Sequence, residues 1–174
     1  SWIQKTIDHL ALNMMRFFNK ETNIVYNTYQ LYRHDKLASL IADHAVAETE
    51  GFILGAKIVR GAYMEKERER AEEKGYPSPI QPNKEATDRD YNDAIIYCAD
   101  NVNNIAFVAG THNEESCRLL ADLLNEKKIE HKNPHVYFSQ LLGMSDNLSF
   151  NLANANYNVA KYVPYGPVKA VLPY

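Results

Sequence analysis

Apolar residues along this chain follow two rhythms, one recurring every three to four residues and one of short, nearly unbroken runs. The first rhythm predicts an amphipathic helix over residues 2–19, with Ile3, Ile7, Leu10, Met14, Phe17 and Phe18 on its apolar side. A β-type run follows at 23–29, then a helix over 35–50 with Leu37, Leu40, Ile41 and Ala45 on one side and Gly51 as its stop. Phe52 to Val59 is apolar at almost every residue, as expected for a strand covered on both faces. Helices are predicted over 62–74 and 85–103, joined by a Gly/Pro-marked loop at 75–82. A third strand runs from Ile105 to Ala109. The next helix begins near Asn113, with Glu114 and Glu115 where the positive end of the helix dipole favours them, and buries Cys117, Leu120 and Leu124. His135 to Phe138 gives a fourth strand, a weakly patterned helix starts near Ser145, and Asn158 to Tyr162 gives a fifth strand.

Strands alternating with helices argue for a parallel sheet, because parallel neighbours need crossovers. Five strand–helix units are too few for a complete (β/α)8 barrel, which takes about 250 residues. A doubly wound sheet fits the count, but no strand is followed by a G-x-G-x-x-G turn, so a Rossmann-type site has no support. A TIM-type barrel is the better reading because polar residues follow successive strands: Gln30, Arg60-Gly61, Thr111-His112-Asn113, Gln140 and Tyr162. In a barrel these positions converge on one mouth. At 174 residues the chain supports a single domain over 1–174. It opens on Ser1 in a helical pattern and closes on the apolar run Lys169 to Tyr174, so it reads as a partial barrel truncated at both ends.

Composition narrows the function classes. With 45% hydrophobic and 24% charged residues the chain is ordinary globular protein, and a net charge of −3 offers no basic stripe for nucleic acid. Cys98 and Cys117 have no partner cysteine or histidine at metal-ligand spacing, so neither a disulfide framework nor a metal site is expected, and a reducing compartment is the default. No apolar run reaches the length of a membrane span and no signal pattern is present, which leaves peripheral membrane contact open.

Val59-Arg60-Gly61-Ala62-Tyr63 carries the most chemistry. A glycine between strand and helix lets a ligand approach the backbone, and Lys57 and Arg60 add positive charge suited to a phosphate or an electron-rich ring. The plainer alternative is a tight turn with Arg60 paired to a carboxylate. Thr111-His112-Asn113 offers a hydroxyl, an imidazole and amide dipoles for a pyrophosphate, or else only a helix N-cap. Gln30 can hydrogen-bond the edge of a flat heterocycle or simply lie on the surface. The run Met64 to Arg70 reads as a solvated helix face laced with ion pairs. Tyr162, Tyr165 and Tyr174 are either core or ligand handles.

Five blocks in order resemble the proline dehydrogenase family: Asn27 to Gln30, Ala56 to Arg68, Gly110 to Asn113, Phe138 to Met144, and Lys161 to Val168. The resemblance covers nearly the whole chain. It implies a distorted (β/α)8 barrel that holds FAD and oxidises L-proline to 1-pyrroline-5-carboxylate, passing electrons to a membrane quinone. By similarity, Gln30 would bond the polar edge of the isoalloxazine and Lys57 would lie beside its reactive nitrogen. Arg60, Gly61 and Ala62 would line the flavin and its phosphates, with Thr111, His112 and Asn113 on the pyrophosphate and adenosine side. Lys84 and Thr87 would belong to the cofactor shell. Tyr63, Leu141, Tyr162 and Tyr174 would shape the proline pocket, Leu141 touching the cofactor as well, with Lys57 and Tyr162 closest to the chemistry. The lysine at position 57, where many bacterial relatives have arginine, resembles the branch that includes mitochondrial enzymes and a single-function parent.

The family's substrate-carboxylate lysine and arginine pair, and an acidic residue on an early strand, have no counterpart in this sequence. The parent is therefore expected to be active while this chain alone binds proline poorly. The alternative is a non-catalytic, flavin-binding partial barrel. An unrelated phosphate-binding barrel enzyme is the third reading. The expected location is the cytoplasm, peripheral to a bacterial inner membrane, or alternatively the mitochondrial inner membrane. A second copy of the chain, or a pyrroline-5-carboxylate dehydrogenase that receives the product, are the expected protein partners.

Overall fold

The computed structural model describes residues 5–171. Five parallel strands, β1 (Asn27–Gln30), β2 (Leu54–Val59), β3 (Ile105–Gly110), β4 (Val136–Leu141) and β5 (Val159–Tyr162), lie side by side in chain order. Helices α1 (Lys5–Phe18), α2 (Lys36–Glu50), α3 (Met64–Lys74), α4 (Lys84–Asp100), α5 (Glu114–Glu126), α6 (Asp146–Asn154) and the single turn α7 (Val168–Val171) complete the order. A doubly wound sheet reverses its strand order at a switch point, whereas here every crossover steps the same way, as around a barrel wall. The register is continuous from edge to edge: Thr28 pairs with Lys57, Lys57 with Val108, and Val108 with Tyr137.

Strand alternation splits the sheet into two faces. Leu54, Ala56 and Ile58 of β2, Ile105, Phe107 and Ala109 of β3, and Val136 and Phe138 of β4 are all buried in one core. That core takes Leu40 and Ala47 from α2, Ile95 and Cys98 from α4, and Cys117, Leu120 and Leu124 from α5. The opposite face carries Thr28, Lys57, Val59, Val108, Tyr137 and Leu141, each only half-buried. Lys57 and Tyr162 stand on strands three positions apart, about 14 Å in a flat sheet. The Lys57 Nζ nevertheless sits 4.2 Å from the centroid of the Tyr162 ring, so the sheet is concave on this face.

Several expected boundaries and faces change. The first strand starts at Asn27 rather than 23 and includes Gln30, and the fourth runs on to Leu141. The helix expected over 62–74 starts only at Met64, and that over 85–103 ends at Asp100. In α1 the expected apolar stripe faces outward, with Ile7, Leu10, Phe17 and Phe18 exposed, and the helix packs through Ala11, Leu12 and Met15 instead; Ile3 lies outside the described residues. In α2 Leu40 is buried as expected, but Ile41 and Ala45 are exposed and Lys36 and His44 take buried positions. Asp8 accepts from Lys36 at 2.9 Å and Tyr97 meets His44 Nδ1 at 2.8 Å, while His44 Nε2 is buried without a hydrogen-bond partner among the described residues. Gly51 ends α2 at φ 72°, as its place at the stop requires.

Arg16 meets both carboxylate oxygens of Glu50, yet both side chains are more than a third exposed. Arg16→Ala should therefore leave the urea midpoint almost unchanged, and 1 M salt should shrink the small difference further.

Candidate functional site

The concave face and the strand ends above it form one continuous site. Gln30 closes β1, 7% exposed, on the same side of the sheet as Thr28 and Lys57. Gly61, two residues beyond Val59, adopts φ 117°, a conformation that L side chains rarely take. A Cβ there would lie 1.7 Å from Cε1 of Tyr32 and 3.0 Å from Oε1 of Gln30. The glycine is thus a steric requirement, and it leaves a bare, exposed stretch of backbone with Ala62 beside the Gln30 amide.

Lys57 is half-buried in the middle of this face and pairs with no carboxylate among the described residues. Burial holds its pKa below the usual 10.5. A folded value below the unfolded one means that the ammonium opposes folding at neutral pH, and that this opposition fades as pH rises towards 10.5. Lys57→Met should therefore raise the urea midpoint at pH 7. The gain is limited by the lost contact with Tyr162, about 0.5–1 kcal/mol, and should narrow as the titration is repeated towards pH 10.5.

Alternation turns Arg60 to the other side, under the helices. Its Nε donates to Asp88 at 2.6 Å, Nη1 to Thr111 Oγ1 at 2.8 Å and Nη2 to Ser116 Oγ at 3.0 Å, while the guanidinium lies 4.2 Å from the Tyr91 ring centroid. The plainer reading of Arg60, a pairing with a carboxylate, is therefore realised by Asp88. Three of its five N–H groups are used, which leaves two for a ligand. Asp88 also accepts from Lys84, otherwise an exposed side chain. Burial raises the Asp88 pKa, but the hydrogen bonds from Lys84 and Arg60 outweigh it and leave the carboxyl below its usual value. Thr87 is buried against the first turn of α4, where Asn83 caps the helix by accepting from Ala86 at 2.8 Å.

At the end of β3, Thr111 Oγ1 accepts from the Asn113 amide, and Asn113 caps α5 by accepting from Ser116 at 2.9 Å. The cap reading thus holds for Asn113, and Thr111 joins it to Arg60. His112 points away from this cluster and is exposed, with Nδ1 2.9 Å from Ser145 Oγ. Burial and the nearby Lys161 charge lower its pKa, so its neutral form is favoured. Gln140 is not at the mouth. It lies under α6, donating to the Thr111 carbonyl at 3.1 Å and accepting from Ser149 at 2.9 Å. Leu141 and Tyr162 pair across β4 and β5, the first half-buried and the second exposed. Tyr63 is half-buried ahead of α3, with the Lys66 ammonium 5.6 Å from its ring centroid. Tyr165 is exposed, and Tyr174 lies outside the described residues.

Asp88, Tyr91 and Ser116 were not singled out in the sequence. Asp88 had a readable signal, standing four residues after Lys84 on one helix face. Glu67 departs most from expectation: in the run read as a solvated face it is buried, holding Tyr32 and Arg33. Among the described residues, no group of three His, Cys, Asp or Glu side chains is placed to hold a metal, and no helix is long and apolar enough to cross a membrane.

The family model for proline dehydrogenase matches residues 1–174. The human mitochondrial proline dehydrogenase 1 is 42% identical over 177 residues, covering 100% of this chain and 30% of the human protein. The Caenorhabditis elegans mitochondrial proline dehydrogenase 1 is 41% identical over 179 residues, covering 100% of this chain and 29% of the relative. The chain thus spans under a third of the length of these curated relatives. Among solved structures, proline utilization A from Bdellovibrio bacteriovorus, inactivated by N-propargylglycine, superposes with a TM-score of 0.85 at 22% identity, over 98% of this chain and 18% of that one. That likeness confirms the fold, and the match of sequence over the full chain settles the kinship: this chain belongs to the proline dehydrogenase family.

Proposed function

We propose that this chain forms the flavin-binding wall of an FAD-dependent enzyme that oxidises L-proline to 1-pyrroline-5-carboxylate and passes the electrons to a membrane quinone. The observation that carries the reading is the bare Gly61 backbone, where a Cβ would collide, set on the same face as an ammonium without a carboxylate partner. A flat, electron-accepting ring fits such a place, and the donors around it match one. Gln30 can both donate to and accept from a heterocycle edge. Lys57 supplies a fixed positive charge beside the ring, and the two remaining N–H groups of Arg60, with Thr111, Asn113 and exposed Lys84, suit phosphate oxygens. Exposed His112 would serve the adenosine end.

When bound, FAD supplies the two-electron acceptor to which hydride from the carbon beside the proline nitrogen is delivered at N5. Lys57 would hold its positive charge where negative charge would develop on the ring, favouring the transition state over the ground state. Tyr162, Leu141 and Tyr63 would wall the proline side, and Tyr174 would join them. No side chain on this face needs to act as a nucleophile. The names of the relatives favour a mitochondrial setting over the bacterial alternative.

The test is an anaerobic visible spectrum of the chain with FAD, before and after L-proline. Perturbed flavin bands that proline leaves oxidised are expected, because the family's carboxylate-binding lysine and arginine pair have no counterpart in this sequence. Unperturbed flavin bands would overturn the cofactor assignment. Bleaching by proline would show that the chain grips proline without those groups. β1 and β5 each pair on one side only, so sizing the chain with and without FAD would reveal whether a second copy completes the wall.

A further inference from the structure

Three loops meet beside the Gly61 backbone, and an ionic cluster centred on buried Glu67 ties them together. After β1 the chain keeps pairing with the segment after β2, Leu31 N–H donating to Val59 and Tyr32 N–H to Arg60, both at 2.8 Å. The segment before α4 closes on the other side, with Gln81 N–H donating to the Tyr32 carbonyl at 2.7 Å and His34 N–H to that of Pro79 at 3.1 Å. Tyr32, 3% exposed, lies at the centre, its ring against the Cα of Gly61. Its hydroxyl donates to Glu67, 2% exposed in the first turn of α3. Arg33 binds the other Glu67 oxygen and grips Asp35 through two further hydrogen bonds of 2.9 Å.

Simple packing needs no such cluster. A phenylalanine would fill the place of the Tyr32 ring, and a buried carboxylate costs several kcal/mol in desolvation that an apolar residue avoids. A fully partnered buried network instead fixes one geometry. Here that geometry is the plane of the Tyr32 ring, which fills the place a Gly61 Cβ would take, with Gln30 Oε1 3.0 Å from that same place. Burial and the hydrogen bond to Glu67 raise the Tyr32 pKa, so the hydroxyl remains a donor at neutral pH.

We propose that Tyr32, locked by Glu67 and Arg33, is a positioning residue that holds the Gln30 amide and the Gly61 backbone in place for the flavin ring. The proposal rests on the flavin reading given above and adds the device that sets the shape of the site. Tyr32 acts through Gln30 and Gly61 and not on the reacting atoms.

Three variants of the full chain test it, each measured for urea midpoint and for FAD affinity by flavin fluorescence quenching well below the unfolding transition. Tyr32→Phe should weaken FAD binding about tenfold, the equivalent of one lost hydrogen bond, and change the visible spectrum of the bound flavin. Glu67→Gln keeps an oxygen for the Tyr32 hydroxyl and should lose less affinity than Tyr32→Phe, which keeps the test alive if the phenylalanine variant folds poorly. The double variant Tyr32→Phe, Glu67→Leu removes both partners. It should recover part of the stability lost in Tyr32→Phe, because no buried carboxylate is left short of a donor and Arg33, which loses Glu67, keeps its two hydrogen bonds to Asp35, while FAD affinity stays low. Variants that bind FAD like the parent chain would overturn the positioning role and leave the flavin reading intact, as would affinity that returns with stability in the double variant. Failure of the unaltered chain to bind FAD would overturn the flavin reading, and this proposal with it.

Discussion

Gly55→Ala should abolish the cooperative urea transition of this chain and most of its helical circular dichroism. Gly55 lies in β2, where a Cβ would stand 2.0 Å from the Val25 carbonyl oxygen, 3.0 Å from its carbon and 3.1 Å from the Tyr26 Cα. All three neighbours are backbone, so no side chain can swing aside. The segment from Val25 leads straight into β1, whose first residue, Asn27, pairs with Ala56. Moving it away would break the register on which Gln30 and Lys57 depend. We expect a loss of more than about 3 kcal/mol, a large share of the stability of a domain this size. Gly75→Ala separates steric from conformational cost. Gly75 has φ 67° but open space around it, so its substitution should cost only about 1–2 kcal/mol.

Arg60→Met should give the second largest effect, and through charge instead of volume. Methionine fills similar space over Tyr91 but removes the donors that join Asp88, Thr111 and Ser116. Arg60 and Asp88 are each about a quarter exposed, at 22% and 25%. The cost should therefore fall between that of a surface pair and a buried one, roughly 2–3 kcal/mol at pH 7. Its pH dependence is diagnostic. Asp88 has a folded pKa below its unfolded 3.8, so its pairing stabilises the fold above that value and is lost as pH falls through the folded value. The gap between Arg60→Met and the parent chain should shrink in urea titrations taken below pH 4. On the proposed flavin reading, FAD affinity should fall as well, because two donors facing the phosphate side would be lost. A gap that stays constant with pH would show that Asp88 is not the partner that matters.

The sequence made the order of elements readable because each strand is a compact apolar or β-branched run bounded by clear stops. The packing side of α1 was not readable for a specific reason. Periodicity correctly puts Ile7, Leu10, Met14, Phe17 and Phe18 on one apolar arc, opposite Lys5, Asp8, Asn13 and Arg16, but the helix meets this core through the flank of that arc at Ala11, Leu12 and Met15, a choice made by its tertiary neighbours. In α2, Lys36 and His44 are buried because Asp8 and Tyr97 meet them from other helices, a tertiary fact invisible to local pattern. The opposed directions of Lys57 and Arg60 follow from strand alternation and were implicit in the sequence. Gln140 was misplaced because β4 extends beyond it, which puts the side chain under α6 instead of at the rim. Glu67 was hidden for a similar reason. Its charged neighbours Glu65 and Arg68 do form a surface pair at 3.0 Å, and nothing in the run marks one glutamate as different.

The stepwise order of the strands also has a kinetic reading. Each inner strand leans on the strand before it and the strand after it, so the sheet can open from its rim one unit at a time. Amide hydrogens of β2 and β3, with neighbours on both sides, should exchange with solvent slowest, and those of β5, half-buried at the rim, fastest. Lys57 and Arg60 sit at the slow end of that gradient and Tyr162 at the fast end. The cofactor's side of the site would then stay closed on a timescale over which the substrate's side opens and shuts many times.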